Sequence, residues 1–399
     1  MAITFISQPT QWDPICNPTI FVFESDNTGQ ANFSFVIEVY LNAGLISTHQ
    51  VFPEDGDSGK FDLSSIGRAI IVNNFPDPLL LDQELMNGSQ TFSLLVYERY
   101  GTPAEVIIAS AEASNGIEFL NAAFRQEFWL SWNYQDYNIE QASGTRLFLT
   151  EFPRDKRDLV GYYDYKYLSI INSTGNLVYG EAVLYDINNS VIASADFIKD
   201  NRTIPLVQVG PENLVNGTTL VVGNFTNCYY YTIEIYQNAT PSKDSELYKI
   251  YYDQSCSNYT RYRLHWLNKF GAWDSFTFNL LSEHSTDIEA TRYNRRTGRW
   301  QAGDYEYSLS DGNRMTVNKS MSDKLLLNSD WIHEDIQQWL VRDLYESPRV
   351  YIQKDFGSSV LEPVNVTNAN YTLKQRRKAG LIQEAVQIDR TYTYQTQLG

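Results

Sequence analysis

The segment Asn32–Tyr40 constrains the chain most strongly. It puts Phe33, Phe35, Ile37 and Val39 on one side and Ser34, Val36, Glu38 and Tyr40 on the other. That strict period of two suits a strand packed on one face and cannot form a helical stripe. The same grammar continues on both sides. Thr19–Glu24 is an apolar run ended by the turn residues Ser25–Gly29, and Asn42–Gly44 turns into Leu45–Phe52. Gly56–Gly59 is a loop, and Thr91–Arg99 with Ala104–Ala109 reads as a closing hairpin. Phe61–Asn74 fits a short helix or a further strand equally well. Short strands at this spacing predict an immunoglobulin- or fibronectin-like β-sandwich over residues 1–115. Composition agrees: 28 Tyr, 20 Phe and 8 Trp make the chain 14% aromatic, and aromatic side chains favour strands.

A chain of 399 residues exceeds one ordinary sandwich, so several domains are expected. Residues 116–157 read as a connector. Within it Ile117, Leu120, Phe124 and Phe128 approach helical spacing, Phe128–Trp132 looks like core, and Arg146–Thr150 looks like a strand. A second β-sandwich is expected over 158–244. Its strands would be Tyr165–Asn172, Asn176–Asp186, Val191–Asp196, Thr218–Val222 and Tyr229–Tyr236.

Residues 245–399 predict an α+β portion. Tyr248–Tyr252 is a strand. Tyr262–Asn268 and Ser275–Asn279 form a hairpin through the turn Lys269–Asp274, with Leu264 and Trp266 alternating against Arg263 and His265 and Gly271 free to take a positive φ. The strongest helix spans Asp330–Tyr345, with Trp331, Ile332, Ile336, Trp339, Leu340 and Leu344 on one stripe. Asn328 or Ser329 would cap it and Pro348 would stop it. So apolar a helix needs a sheet, and the strands around Leu247–Phe278 are the expected partner. Val350–Gln353, Val360–Glu362, Asn370–Lys374 and Leu381–Asp389 read as further strands. The polar tail Thr391–Gly399 has no obvious partner inside the chain, so it is expected to add to a neighbouring subunit. The fold class is therefore mainly β and multi-domain, with one C-terminal α+β portion.

Charge narrows the partners. Lys+Arg 31 against Asp+Glu 48 gives −17, the opposite of what displacing counterions from a nucleic-acid duplex requires. The basic clusters Arg295–Arg296 and Lys374–Lys378 are short and read as solvated faces or subunit contacts. Apolar runs fall short of the roughly 20 residues needed to span a bilayer. Met1–Pro9 lacks a basic start and a long apolar run, so no secretory leader is expected. Cys16, Cys228 and Cys256 form neither a disulfide framework nor a zinc motif. A Cys228–Cys256 bridge and buried free thiols both fit, the latter better in a chain without a leader.

No catalytic set stands out. His49, His265, His284 and His333 lie in no metal-ligand spacing, and the pair Glu283-His284 falls in an expected loop. Glycosidases need two facing carboxylates. Asp136, Glu140, Asp164, Asp253 and Asp274 are candidates that no spacing pairs. Trp273, Trp300 and Tyr305 could stack on a sugar ring, although Trp273-Asp274 reads more simply as a turn covering a sheet edge. No cofactor or metal is expected.

Four stretches carry a family resemblance. They are Asn17-Pro-Thr-Ile with Phe33–Tyr40, Phe148–Pro153 with Tyr165–Ser169, Tyr262–Phe278, and Trp339–Tyr351 with Pro363–Tyr371. In these the chain resembles structural virion proteins of tailed bacteriophages infecting Bacteroidetes-like hosts, crAss-like phages among them. The resemblance implies a non-enzymatic tail or neck protein, assembled in the host cytoplasm into a ring with itself and other virion proteins. It implies no membrane, no sequence-specific nucleic acid and no catalytic residues. The alternative is a receptor-binding adhesin of the same virion that takes a host glycan.

Overall fold

The computed structural model describes residues 3–54, 57–71, 74–85, 88–140, 145–237, 245–255, 258–354, 361–367 and 381–395. Strand accounts for 49% of it and helix for 11%, so the protein is mainly β. The chain divides into two compact units. The first is Met1–Gln254 with Leu267–Ser275, and the second is Ser255–Trp266 with Phe276–Gly399.

The first unit begins with a β-sandwich. One sheet orders Thr4–Ser7, Ile20–Glu24 and Ser58–Asp62; the other joins Gly44–Val51, Ser34–Leu41, Ser89–Gly101 and Ala104–Ala113, with Ile117–Leu120 also on Ser89–Gly101. The expected faces meet. Phe21, Phe23 and Phe61 of one sheet share a core with Phe35, Ile37, Val39, Phe92 and Leu94 of the other. Each such side chain contributes roughly 1.5–3 kcal/mol on leaving water. The undecided stretch after Phe61 resolves as the helix Ser64–Ile70.

Further along, a five-stranded sheet runs Asp158–Val160, Tyr248–Tyr252, Tyr230–Gln237, Val178–Tyr185, Val191–Asp200. Two expected strands are absent. Arg146–Thr150 makes only an isolated bridge from Arg146 to Ser245; Leu149 N–H instead bonds the Ser169 carbonyl, and Thr150 N–H turns back to Phe148. The expected strand Thr218–Val222 is instead the gap 218–221 between two helices, Pro211–Gly217 and Val222–Phe225, the second of which takes Val222. Pro211 at the first helical position starts that pair, a signal that the β-rich composition masked. The strand expected at Tyr165–Asn172 shrinks to Tyr167–Ser169.

The second unit holds most of a seven-stranded sheet in the order Trp273–Phe278, Tyr262–Leu267, Val350–Lys354, Leu361–Val366, Ala385–Gln395, Arg314–Asn328, Glu283–Asn294, of which Leu267 and residues 273–275 are counted with the first. The helix is shorter than its apolar stripe predicts, Glu334–Asp343. Ile332–His333 before it is extended and pairs with Leu381–Ile382. That pairing moves the N-cap to His333, whose ring accepts from Asp335 N–H, in place of Asn328 or Ser329. It also leaves Trp331 outside the stripe and exposed. Trp339 stays on the stripe, with its ring 5.0 Å from Trp266. The tail corrects a further expectation. Gln395, Tyr394 and Thr393 stand opposite Ser320, Met321 and Ser322, so 393–395 is paired inside the chain, while 396–399 lie outside the described residues. The missing partner was a long polar strand that apolar patterning does not reveal. The strand expected at 370–374 and the basic cluster 374–378 lie outside the described residues, as does Cys256.

Candidate functional site: an exposed hairpin arm

The strands Glu283–Asn294 and Arg314–Asn328 pair from Glu283↔Leu326 to Asn294↔Arg314. Glu283-His284 therefore opens a strand, where a loop was expected, and Tyr262 Oη lies 3.1 Å from His284 Nε2. Among the described residues the third strand on this ladder reaches as far as Gln395, opposite Ser320. Beyond Ala290 and Lys319 the arm is two-stranded among the described residues. At its end a smaller hairpin, Arg299–Gln301 with Asp304–Glu306, sets Trp300 directly across from Tyr305. Its two-residue loop, Ala302-Gly303, has φ of 51° and 99°, the double positive φ of a tight hairpin turn. Tyr305 Oη donates to the Thr297 carbonyl at 2.8 Å, and the Tyr305 and Tyr307 rings meet edge-to-face at 5.1 Å.

This tip is wet. Trp300 is 71% exposed and Tyr307 75%, while Leu309 is fully exposed. A two-stranded ribbon is marginal on its own, and clustered exposed aromatics mark a contact surface. Charge reinforces the point. Residues 292–319 hold six basic residues, Arg292, Arg295, Arg296, Arg299, Arg314 and Lys319, against three acidic ones; the net is +3, leaving −20 on the rest of a −17 chain.

The other sequence candidates are placed differently. Trp273 is buried, its ring 4.7 Å from Phe75, so it offers no face to a sugar. His265 is buried with Nε2 3.1 Å from Gln353 Oε1, His49 meets Ser47 Oγ, and His333 caps the helix. Among the carboxylates, Glu140 collects Ser173 Oγ–H and Thr174 N–H, Asp164 accepts from Gly161 N–H, and Asp136 takes Asn133 Nδ2. The backbone N–H of Asp253 donates to the Val160 carbonyl. Asp274 is buried and accepts from Thr150 Oγ1 at 2.8 Å and Asn268 Nδ2 at 3.0 Å. No described hydrogen bond joins two of the five. Among the described residues no three His, Cys, Asp or Glu side chains form a group able to hold a metal ion.

Two features were missed in the sequence. A recess of about 570 Å³ is lined by Cys228, Tyr229, Tyr252 and Gln254 among others. Burial pushes the Cys228 thiol up to about 12, which keeps it protonated rather than nucleophilic. The second feature is a buried charge set. Lys166, fully buried, pairs with Asp158 at 2.7 Å, and Tyr248 Oη donates to the same carboxyl at 2.8 Å. Arg154 binds Glu246 through Nε and Nη2 at 2.6 and 2.7 Å and lies over the Tyr248 ring. Burial raises the Asp274 carboxyl, and the Lys166 charge opposes that rise. The clue was in the sequence: Lys166 is the one charge in the run Tyr165–Ile171, which is otherwise apolar but for Ser169.

No protein-family model and no curated protein matches this sequence. Among solved structures, the crystal structure of CBD12 from CALX1.2 is similar at 8% identity over 61% of this chain and 83% of that one, with a TM-score of 0.19. The crystal structure of Dpr2 Ig1-Ig2 in complex with DIP-Theta Ig1-Ig3 is similar at 5% identity over 82% and 94%, with a TM-score of 0.20. Likeness at that level carries no functional argument.

Proposed function

We propose that this chain is a non-enzymatic structural component of a tailed bacteriophage virion, assembling into a tail or neck ring, and that the hairpin arm is how one copy grips the next. The observation that carries the assembly reading is the outer arm: an exposed aromatic tip on residues 292–319, which carry +3 in a chain otherwise strongly acidic. A second copy supplies the complementary surface, because the rest of each copy carries −20 and opposite fields steer and register association. Repeated head-to-tail, such a contact gives a ring when its rotation closes and a filament when it does not. The tailed-phage setting rests on the sequence resemblance.

Light scattering on purified protein tests the arm. Full-length chain is expected to associate at low salt and to dissociate as salt screens the contact. A variant with 295–313 replaced by a short Asn-Gly turn is expected to remain monomeric. Equal association of both proteins would sink the arm's role. Mass spectrometry of purified virions tests the setting, and absence of the chain from mature particles would exclude it.

The exposure of Trp300 and Tyr305 favours a second reading, an adhesin stacking on a host glycan. Glycan-array binding abolished by Trp300→Ala, with self-association unchanged, would select it over the ring.

A further inference from the structure

Asp158 and Lys166 are held with little freedom. Asp158 opens the strand Asp158–Val160 and stands parallel to Ile250. Lys166 is fixed at both backbone groups, its N–H donating to Gln208 Oε1 at 3.1 Å and its carbonyl accepting from Val209 N–H at 2.7 Å. Their side chains meet at 2.7 Å with 0% and 4% of the side-chain surface exposed. Aromatic rings wall the ammonium, with Phe152 at 5.7 Å and Tyr248 at 5.5 Å from Nζ. A second carboxyl, Asp274, lies in the same buried set, and its Oδ1 has no hydrogen-bond partner among the described residues. Burying two opposite charges costs several kcal/mol per ion before their attraction repays it. Such a pair, held dry and in contact, is poised to remove its own charges.

We propose that Lys166 and Asp158 condense to an intramolecular amide, with Asp274 as proton relay. The ammonium first passes one proton to the Asp158 carboxylate, leaving a neutral amine and a neutral acid. That proton goes to Oδ2, the oxygen that Nζ meets. The Nζ lone pair then attacks Asp158 Cγ, the carbonyl π pair moves onto Oδ1, and Oδ2, to which the Tyr248 hydroxyl donates, is the hydroxyl that departs. Asp274, whose carboxyl burial biases toward the protonated form, gives its proton to the departing hydroxyl and takes one from Nζ. The C–O bond breaks, one water leaves, and the N–C bond remains. Of the three ammonium protons, one ends on the amide and two leave in the water, so charge and atoms balance without oxidant or reductant.

The product is a covalent loop from 158 to 166 in place of a buried ion pair. It suits a protein under mechanical load but does not depend on the virion reading, since it is intrinsic to the first unit.

Mass spectrometry of purified full-length protein tests it. The folded chain is expected to be lighter than its sequence by one water. Trypsin is expected to leave the bond after Lys166 uncut, and fragmentation to yield no backbone ions between 158 and 166. A chain of full mass, cleaved after Lys166, overturns the proposal. Loss of water with normal cleavage after Lys166 also overturns it, because a succinimide at an aspartate gives that pattern. Asp274→Asn keeps the size and the acceptor oxygen but cannot relay a proton. It is expected to have full mass while keeping the wild-type circular dichroism spectrum, and a folded Asp274→Asn chain lacking one water would remove Asp274 from the mechanism.

Discussion

Two hairpins stand next to each other in sequence and end in opposite environments. The first, Tyr262–Leu267 with Trp273–Phe278, is buried on both faces of its first strand, from Tyr262 to Trp266. The second, Glu283–Asn294 with Arg314–Asn328, is exposed along nearly its whole first strand. The first carries Trp266, Trp273, Phe276 and Phe278 where the second carries mostly Thr, Ser and charged residues, yet the first also buries Arg263 and His265, so residue type alone does not separate them. What separates them is whether the polar positions find partners. In the first, Arg263 Nη1 donates to Thr277 Oγ1 at 2.6 Å and His265 meets Gln353, so the polar face can be covered. In the second, the pairs are solvent-facing ones such as Lys324 with Asp287 at 2.6 Å, and Ile288 stays exposed although Met321 stands across from it. Burial follows satisfied polarity as much as hydrophobicity.

The largest expected effect comes from the buried tryptophan. Trp266→Ala removes a fully buried side chain packed on Trp339 and is expected to cost about 3–5 kcal/mol, read by urea denaturation. A Trp266→Ala protein as stable as wild type would refute its place in the core.

The turns offer the next contrast. Gly271 has φ +78°, and a Cβ there would sit 2.1 Å from the Asn121 carbonyl oxygen, a backbone atom that cannot swing aside. Gly271→Ala is expected to cost about 2–4 kcal/mol from strain and clash combined. Gly303, at the arm tip, has φ +99° with open space around it, so Gly303→Ala should cost only about 1 kcal/mol from the left-handed backbone. Thermal melts of the two variants check the ordering; equal losses would mean that the two turns are equally packed.

How much of this was legible depends on where the driving force lay. The sandwich was readable because Phe33, Phe35, Ile37 and Val39 meet water-avoiding partners at a strict period, and the same positions line the core. Gly271 was readable because a tight turn restricts the residue. The arm was not readable. Over 286–293 and 315–324 its strands carry only scattered apolar residues, Ile288, Ala290, Met315, Val317 and Met321, so no continuous face announces itself, and pairing there comes largely from backbone bonds that leave no mark in composition. The helix start was misplaced for a related reason: Ile332 belongs to the stripe by spacing, yet Leu381–Ile382 claims it first as a strand partner. The buried set around Lys166 was hidden by the assumption that charge in a strand faces solvent. That assumption fails where Asp158, Tyr248 and Asp274 converge from distant parts of the sequence.

The smallest effect on folding is expected from Trp300→Ala, and it bears most directly on the comparison. Trp300 is 71% exposed and meets Tyr305 across a three-residue strand pair. Truncating it removes little that folding buried, so stability should change by no more than about 0.5 kcal/mol. Association behaves differently, because a residue of little value to the fold can anchor an interface, and exposed tryptophans are frequent anchors. The expected outcome is a melting curve superimposable on wild type together with weaker self-association in sedimentation. A Trp300→Ala chain that melts as early as Trp266→Ala would place the tip inside a core and erase the distinction between the two hairpins. A chain unchanged in both measurements would leave the distinction standing but deny the tip its role in assembly.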